Sequence, residues 1–284
     1  MSAGAVIDFR LRVPTAPFDA SLAASHEAVW WHTRTTPLWR DESHPDEPAR
    51  PRTFDACVEW MRDHDVLGVL PGRGMPGVAI PNDHLNALCV EHPGRFVALV
   101  GIDASHRRNA MDEIVRCNGF GFVGVHFETG WLRPPLAADS PLLYPLYALC
   151  EDLGLLAVIH AGPLGGPDPE HTHPAGIGRV ARDFPALRIV MSHGGYPHID
   201  DAIMCVFKHP NVWLAPDPYC DFPGGEGYIA WANRSPLIAE RILYGSSHGW
   251  PHAPEALARF QQLGWRDDVL KRALYTNAAE LLAR

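Results

Sequence analysis

Leu155-Leu156-Ala157-Val158-Ile159-His160-Ala161-Gly162 is a short apolar run, rich in strand formers, that ends in a histidine and a glycine. Seven further runs of this kind lie along the chain, over residues 5–13, 66–71, 96–103, 121–128, 188–195, 212–219 and 241–248. Helix-like segments separate them, and that alternation signals βα units feeding a parallel sheet. Eight such runs in 284 residues match a (β/α)8 TIM barrel, whose usual size is about 250 residues. A doubly wound open sheet is the alternative.

Between the runs, Ser140-Pro141 followed by Leu142, Leu143, Leu146, Tyr147 and Cys150 predicts a helix capped by Ser140, with Pro141 at its first position and Gly154 at its end. Segments 174–184, 199–207 and 267–282 read as helices on the same grounds. Residues 15–65 form a long insertion after the first strand, carrying His26, Trp30, Trp31, His32, Trp39 and His44. A loop of that length in a compact barrel is a lid, an oligomer contact or a plain excursion. The Pro-rich stretches are short interruptions, so residues 1–284 are expected to form one barrel domain.

The net charge of −9 argues against nucleic acid or an anionic membrane as partner, since both reward clustered Lys and Arg. No apolar run approaches the roughly 20 residues of a membrane helix, and no signal pattern opens the chain, which gives a cytoplasmic expectation. The six cysteines are widely spaced with no CxxC pair, so they read as small buried hydrophobes.

A barrel gathers its active site at the C-terminal ends of the strands. Those ends carry Arg10 and Arg12, His126 and Glu128, His160, His193, Asp217 and Tyr219, and Ser246, Ser247 and His248. Residues two apart on a strand share a face, so Arg10 should point with Arg12 and His126 with Glu128. Tyr219, Phe222, Trp131 and Trp250 are candidates to wall a pocket for a flat conjugated substrate. His171-Thr172-His173 resembles an HxH pair, but its Gly/Pro-rich loop suits lid material better than a metal site.

The stretch Tyr144-Pro145-Leu146-Tyr147-Ala148-Leu149-Cys150-Glu151-Asp152-Leu153-Gly154 running into the fifth strand resembles the "amidohydrolase 2" family, which includes aminocarboxymuconate semialdehyde decarboxylase and γ-resorcylate decarboxylase. Phe184-Pro185-Ala186-Leu187-Arg188-Ile189-Val190-Met191-Ser192-His193-Gly194-Gly195, then His209-Pro210-Asn211-Val212-Trp213-Leu214 and Leu243-Tyr244-Gly245-Ser246, are similar to its sixth, seventh and eighth strands. The likeness spans essentially residues 5–282. It implies a metal site built from a first-strand HxH, the fifth-strand His and an eighth-strand Asp, with the sixth-strand His as acid/base. Carried over by position, His160 and His193 match, the first-strand pair is Arg10 and Arg12, and the eighth-strand acid falls on Ser247, or on Gly249 in a second alignment. A homodimer is a further expectation of the resemblance.

A guanidinium has five donors and no lone pair, so Arg10 and Arg12 are not metal ligands. The expectation is therefore no metal and no cofactor. An alternative ligand set, His126, His160, His193 and Glu128, stays open. Two guanidiniums some 6 Å apart repel by roughly 3 kcal/mol at an effective dielectric of 20, and a small anionic substrate relieves that. The reading is a hydrolase or lyase, decarboxylase-like, acting on a small carboxylated conjugated or lactone-like metabolite. His193, His160 and His248 would be catalytic, and Arg10, Arg12, His126, Glu128, Ser247 and Trp250 would bind substrate. In the alternative, Glu128, Asp8 or Asp217 neutralises the arginines and the barrel is catalytically silent, binding a carboxylate ligand or a partner protein.

Overall fold

The computed structural model describes residues 5–28, 53–166, 168–247 and 253–283. Seven parallel strands follow one another in sequence order: β1 Val6–Asp8, β2 Val66–Leu70, β3 Phe96–Gly101, β4 Gly124–Phe127, β5 Leu156–His160, β6 Ile189–Ser192 and β7 Val212–Ala215. The eighth run contributes a single parallel bridge, Leu214 to Ile242. It nevertheless closes the ring: Leu243 N donates to Leu214 O on one side, and Phe9 N donates to Tyr244 O on the other. The fold is thus the TIM barrel expected, and an open sheet is ruled out by that closure.

Helices cover the outside: α1 Ala16–Ala28, α2 Phe54–Asp63, α3 Asn82–Glu91, α4 Arg107–Asn118, α5 Tyr144–Asp152, α6 Pro174–Asp183, α7 Ile199–Lys208, α8 Glu226–Arg234, α9 Pro236–Ala239, α10 Ala253–Gln262, α11 Asp267–Lys271 and α12 Asn277–Leu282. The predicted helix at 267–282 is continuous but carries a π-helical turn at Arg272–Thr276 between α11 and α12. The start assigned to Ser140 is wrong. Residues 140–143 form turns, and α5 begins at Tyr144 with Pro145 in its first turn. A helix begun at Pro141 would have placed Pro145 in its interior, where the ring removes a hydrogen bond and clashes with the preceding turn. The second proline therefore sets the start.

α1 and α2 lie within residues 15–65, which the sequence presents as an insertion, and α2 is the barrel helix that delivers the chain to β2. Trp30, Trp31, His32, Trp39 and His44 lie outside the described residues, as does the side chain of His26. Among the described residues no helix is long and apolar enough to cross a membrane.

The barrel interior is filled by Ile7, Phe9, Val69, Leu99, Leu156, Val158, Val190, Ala215 and Leu243, with Ala278 and Leu281 of α12 packed on the same cluster. The two-residue period then continues upward. Leu156 and Val158 are followed by His160, Val190 by Ser192, Ala215 by Asp217, and Leu67 and Val69 lead through Pro71 to Arg73. An apolar stack thus delivers polar residues to the mouth. The approach is close at Gly72, where a Cβ would stand 2.2 Å from Leu99 O and 2.3 Å from Gly101 N, so only glycine lets the end of β2 lie against β3.

Candidate active site

In β1 the phase changes before the mouth. Ile7 and Phe9 face the interior, but Asp8 Oδ1 accepts from Arg10 N at 3.1 Å, closing a turn at Phe9-Arg10. The turn sends Arg10 into the mouth and Arg12 after it. Asp8 Oδ1 also accepts from Ser246 N at 2.9 Å, and Ser247 N donates to Arg10 O at 3.0 Å. Asp8 is therefore a fixture between the first and eighth strands. Burial pushes its carboxyl up to about 6.

The Arg10 guanidinium crosses the mouth. Its Nη1 donates to Ser192 Oγ at 2.6 Å and lies 3.2 Å from His126 Nε2, while its Nε stands 3.9 Å from Asp217 Oδ2. His126 Nδ1 lies 2.8 Å from the carbonyl of Gly72. A carbonyl only accepts, so Nδ1 carries the proton and Nε2 offers its lone pair to Arg10. Burial pushes His126 down to about 4, which keeps it neutral.

Glu128 does not reach Arg10 or Arg12. Its Oε2 accepts from Arg73 Nε at 2.7 Å, and Arg73 Nη1 also donates to Ser21 at 3.2 Å and to Ser25. Burial alone would raise the Glu128 carboxyl, but Arg73 and then His126 hold it well below the usual carboxylate range. The Arg73 guanidinium lies 5.5 Å over the Trp131 ring, so Trp131 backs an ion pair rather than walling an open pocket. Sequence reasoning missed Arg73. The signal was the Leu67, Val69, Pro71 alternation, carried one step past the apolar run.

Arg12 is half-buried, and its Nη1 donates to the Ser247 carbonyl. Among the described residues no carboxylate lies within 4 Å of it. Burial, then the charges of Arg10 and Arg73, push it down to about 9, so it remains a cation at neutral pH. Ser247 thus meets Arg12 through its backbone.

His160 and His193 stand edge to face, ring centroids 4.5 Å apart. Two glycines fit the following loop around them. A Cβ on Gly162 would lie 2.7 Å from His193 Cβ, and one on Gly165 would lie 2.6 Å from His160 Nδ1. Burial, then neighbouring positive or like groups, hold both imidazoles well below their ordinary range. His193 Nδ1 is 2.9 Å from Asp217 Oδ2, without the alignment of a full hydrogen bond. Burial raises Asp217 to about 7 against the opposing pull of Arg10 and Arg12. Tyr219 lies edge-on to His193 at 5.4 Å and stacks on Tyr196 at 4.8 Å, with Phe222 at 5.0 Å. Tyr196 is a second residue that sequence reasoning missed. His248 and Trp250 lie outside the described residues.

Two features mark this rim as more than packing. His193, Asp217 and Ser247, at the ends of the sixth, seventh and eighth strands, all have positive φ, at 65°, 53° and 57°, and such strain clusters at functional sites. Arg10 Nε, Thr129 Oγ1, His160 Nδ1, His193 Nδ1 and both Asp217 oxygens are buried without a hydrogen-bond partner among the described residues. Buried polar atoms are otherwise nearly always satisfied.

The buried neutral histidines carry a pH signature. Between pH 6.5 and about 4 an unfolded His126 takes up a proton that the folded one refuses, so stability is lost as pH falls through that window. Each such proton contributes about 1.4 kcal/mol per pH unit. His126→Gln is expected to flatten the slope by about that amount, read from urea unfolding between pH 4.5 and 6.

A parallel barrel whose strands end in a polar rim is the architecture of barrel enzymes. The amidohydrolase family model matches residues 73–284, and the chain belongs to that family. A curated relative, the 2-amino-3-carboxymuconate-6-semialdehyde decarboxylase of Dictyostelium discoideum, is 27% identical over 131 residues, 45% of this chain and 36% of that protein. The match spans about a third of that relative's length. An uncharacterised TIM-barrel protein of Bordetella bronchiseptica superposes with a TM-score of 0.85 at 31% identity, covering 99% of each chain. The 5-carboxyvanillate decarboxylase of Novosphingobium aromaticivorans, complexed with manganese and a nitrobenzoic acid, superposes with a TM-score of 0.66 at 15% identity, over 100% of this chain and 97% of that one.

Proposed function

We propose that this protein is an amidohydrolase-related hydrolase or decarboxylase-type lyase acting on a small carboxylated, conjugated or lactone-like metabolite without a metal in the barrel mouth. The observation that carries the reading is Arg12, a half-buried cation at the rim whose described partner is a backbone carbonyl. Burying a charge is costly unless it is paired, and a substrate carboxylate would pair with this one through the guanidinium fork.

The family's metal does not fit the described residues. Arg10 and Arg12 stand where the resemblance puts the first-strand histidines. His126 Nε2 is turned to the Arg10 guanidinium, and Glu128 is committed to Arg73. The donors left among the described residues are His160 and His193, with Asp217 beside the latter, and a fixed positive charge lies among them. A catalytic zinc ordinarily keeps three protein ligands and an open position, whereas among the described residues no three donors of the mouth lie close enough to share one ion, and Arg10 Nε stands 3.9 Å from Asp217. The alternative set of His126, His160, His193 and Glu128 fails for the same reason.

Without a metal-activated water, a side chain must move the proton. His193, neutral at physiological pH and backed by Asp217, is placed to take or return it, with His160 assisting. Arg10 and Arg12 hold the anion and the charge that develops on the electron sink. Asp217 is raised to about 7, so the basic form of the pair fills as pH rises through 7, and turnover by a base should rise with it.

A screen of carboxylated aromatics, muconate-like acids and lactones, each beside its methyl ester, tests the assignment. Turnover of a free acid but not of its uncharged ester is expected. Equal turnover of both removes the anion site. A second reading, a barrel that binds a carboxylate without turnover, is favoured by how tightly Arg10 is held across the mouth, and binding without turnover across the screen would establish it.

A further inference from the structure

Away from the barrel mouth, three side chains from two separate segments turn ligand atoms toward one another. His173 caps α6, His198 precedes α7, and Asp201 lies in the first turn of α7. One nitrogen from each imidazole and one carboxylate oxygen all lie within 4.8 Å of each other. His173 Nε2 and Asp201 Oδ2 are 3.5 Å apart, and the imidazole centroids are 4.5 Å apart with rings inclined by 47°. Ligand atoms 2.0–2.2 Å from a shared tetrahedral zinc stand roughly 3.3–3.6 Å from one another, so the imidazole–carboxylate edge already has the coordination length.

These groups are also largely uncommitted. Among the described residues neither the His198 ring nor the Asp201 carboxylate makes a hydrogen bond. His173 Nδ1 accepts from Ala175 N at 3.2 Å, which leaves the proton of neutral His173 on Nε2, facing Asp201. Coordination at Nε2 moves that proton to Nδ1, which then no longer accepts from Ala175 N, so the cap bond is given up. The N-termini of α6 and α7 oppose a cation here, and Asp200 beside Asp201 adds a second negative charge that offsets them.

We infer that His173, His198 and Asp201 bind a divalent ion of the zinc class, clamping the loop between β5 and α6 to the loop between β6 and α7. Two imidazoles and a carboxylate with a position left for water form a donor set that suits zinc and its first-row neighbours. The clamp would be structural. The first loop covers His160 through Gly165, and the second begins at His193, so the ion ties together the segments that shield and carry the paired histidines without touching either. The sequence set His171-Thr172-His173 aside as lid material, and the fold supplies the partners for His173 from the neighbouring βα unit.

Titration of zinc alone into the untagged, metal-stripped full chain tests this. One equivalent should bind, with affinity lowered at least about tenfold in His198→Ala and in Asp201→Asn and unchanged in His160→Ala. Zinc should raise the melting temperature of the parent but not of His198→Ala or Asp201→Asn, which separates lost ligation from lost folding. The clamp is overturned by absence of binding, by binding that survives both His198→Ala and Asp201→Asn, or by binding lost in His160→Ala, which would put the ion in the barrel mouth.

Discussion

His193→Ala is expected to lower turnover of a carboxylated substrate by about 10²- to 10⁴-fold, the usual contribution of a positioned acid/base, with little change in KM. His193 stands at the end of β6 in a left-handed conformation that aims its ring at the mouth, against Asp217 at 2.9 Å and the ring of His160. Removing the imidazole takes away the proton carrier and leaves both arginines in place, so binding should persist. His193→Gln keeps hydrogen bonding and most of the volume but cannot titrate. It should be as inactive as the alanine variant, and substantial activity in it would assign the acid/base to another residue.

The second large effect is on binding. Arg12→Met should weaken an anionic substrate or product by about 2–5 kcal/mol, the range for removing one partner of a buried charge pair, which is a rise of roughly thirtyfold or more in Kd. Calorimetry with the free acid and with its methyl ester checks it. The acid should lose affinity, whereas the ester should be weak in both proteins. Arg12→Lys keeps the charge and loses the planar fork, so an intermediate loss is expected. Arg10 is a poorer probe, because it also holds Ser192 and His126 across the mouth and its removal disturbs the site as a whole.

The parts of this site that follow a period were legible in the sequence. The apolar runs place His160 above Leu156 and Val158, and Asp217 above Ala215, so strand ends could be named before any contact was known. The same period carried one step further contains Arg73, which was missed because Pro71 was taken as the end of the run. What no period encodes is partnership. Glu128, Asp8 and Asp217 were equal candidates to neutralise the arginines, yet Glu128 belongs to Arg73 and Asp8 to two backbone amides, and only Asp217, shared with His193, stands against Arg10. Those choices depend on the Phe9-Arg10 turn and on glycines that admit close approaches, both of which are properties of the closed barrel. The eighth strand was over-read for a related reason. Leu243-Tyr244-Gly245 has strand composition, but pairing is set by neighbours, and one bridge to β7 with two backbone hydrogen bonds to the β1 side suffices to close the ring.

The central claim is that the mouth works with arginine and histidine in place of a metal. It is tested most directly by measuring turnover and metal content together, before and after exhaustive chelation, in the His198→Ala protein, where the rim cluster no longer contributes. The account predicts zinc, manganese and iron far below one equivalent per chain and turnover unchanged by the chelator. About one equivalent of metal held through His160, with activity lost on its removal and restored by adding it back, would contradict the account and return the protein to metal-dependent chemistry.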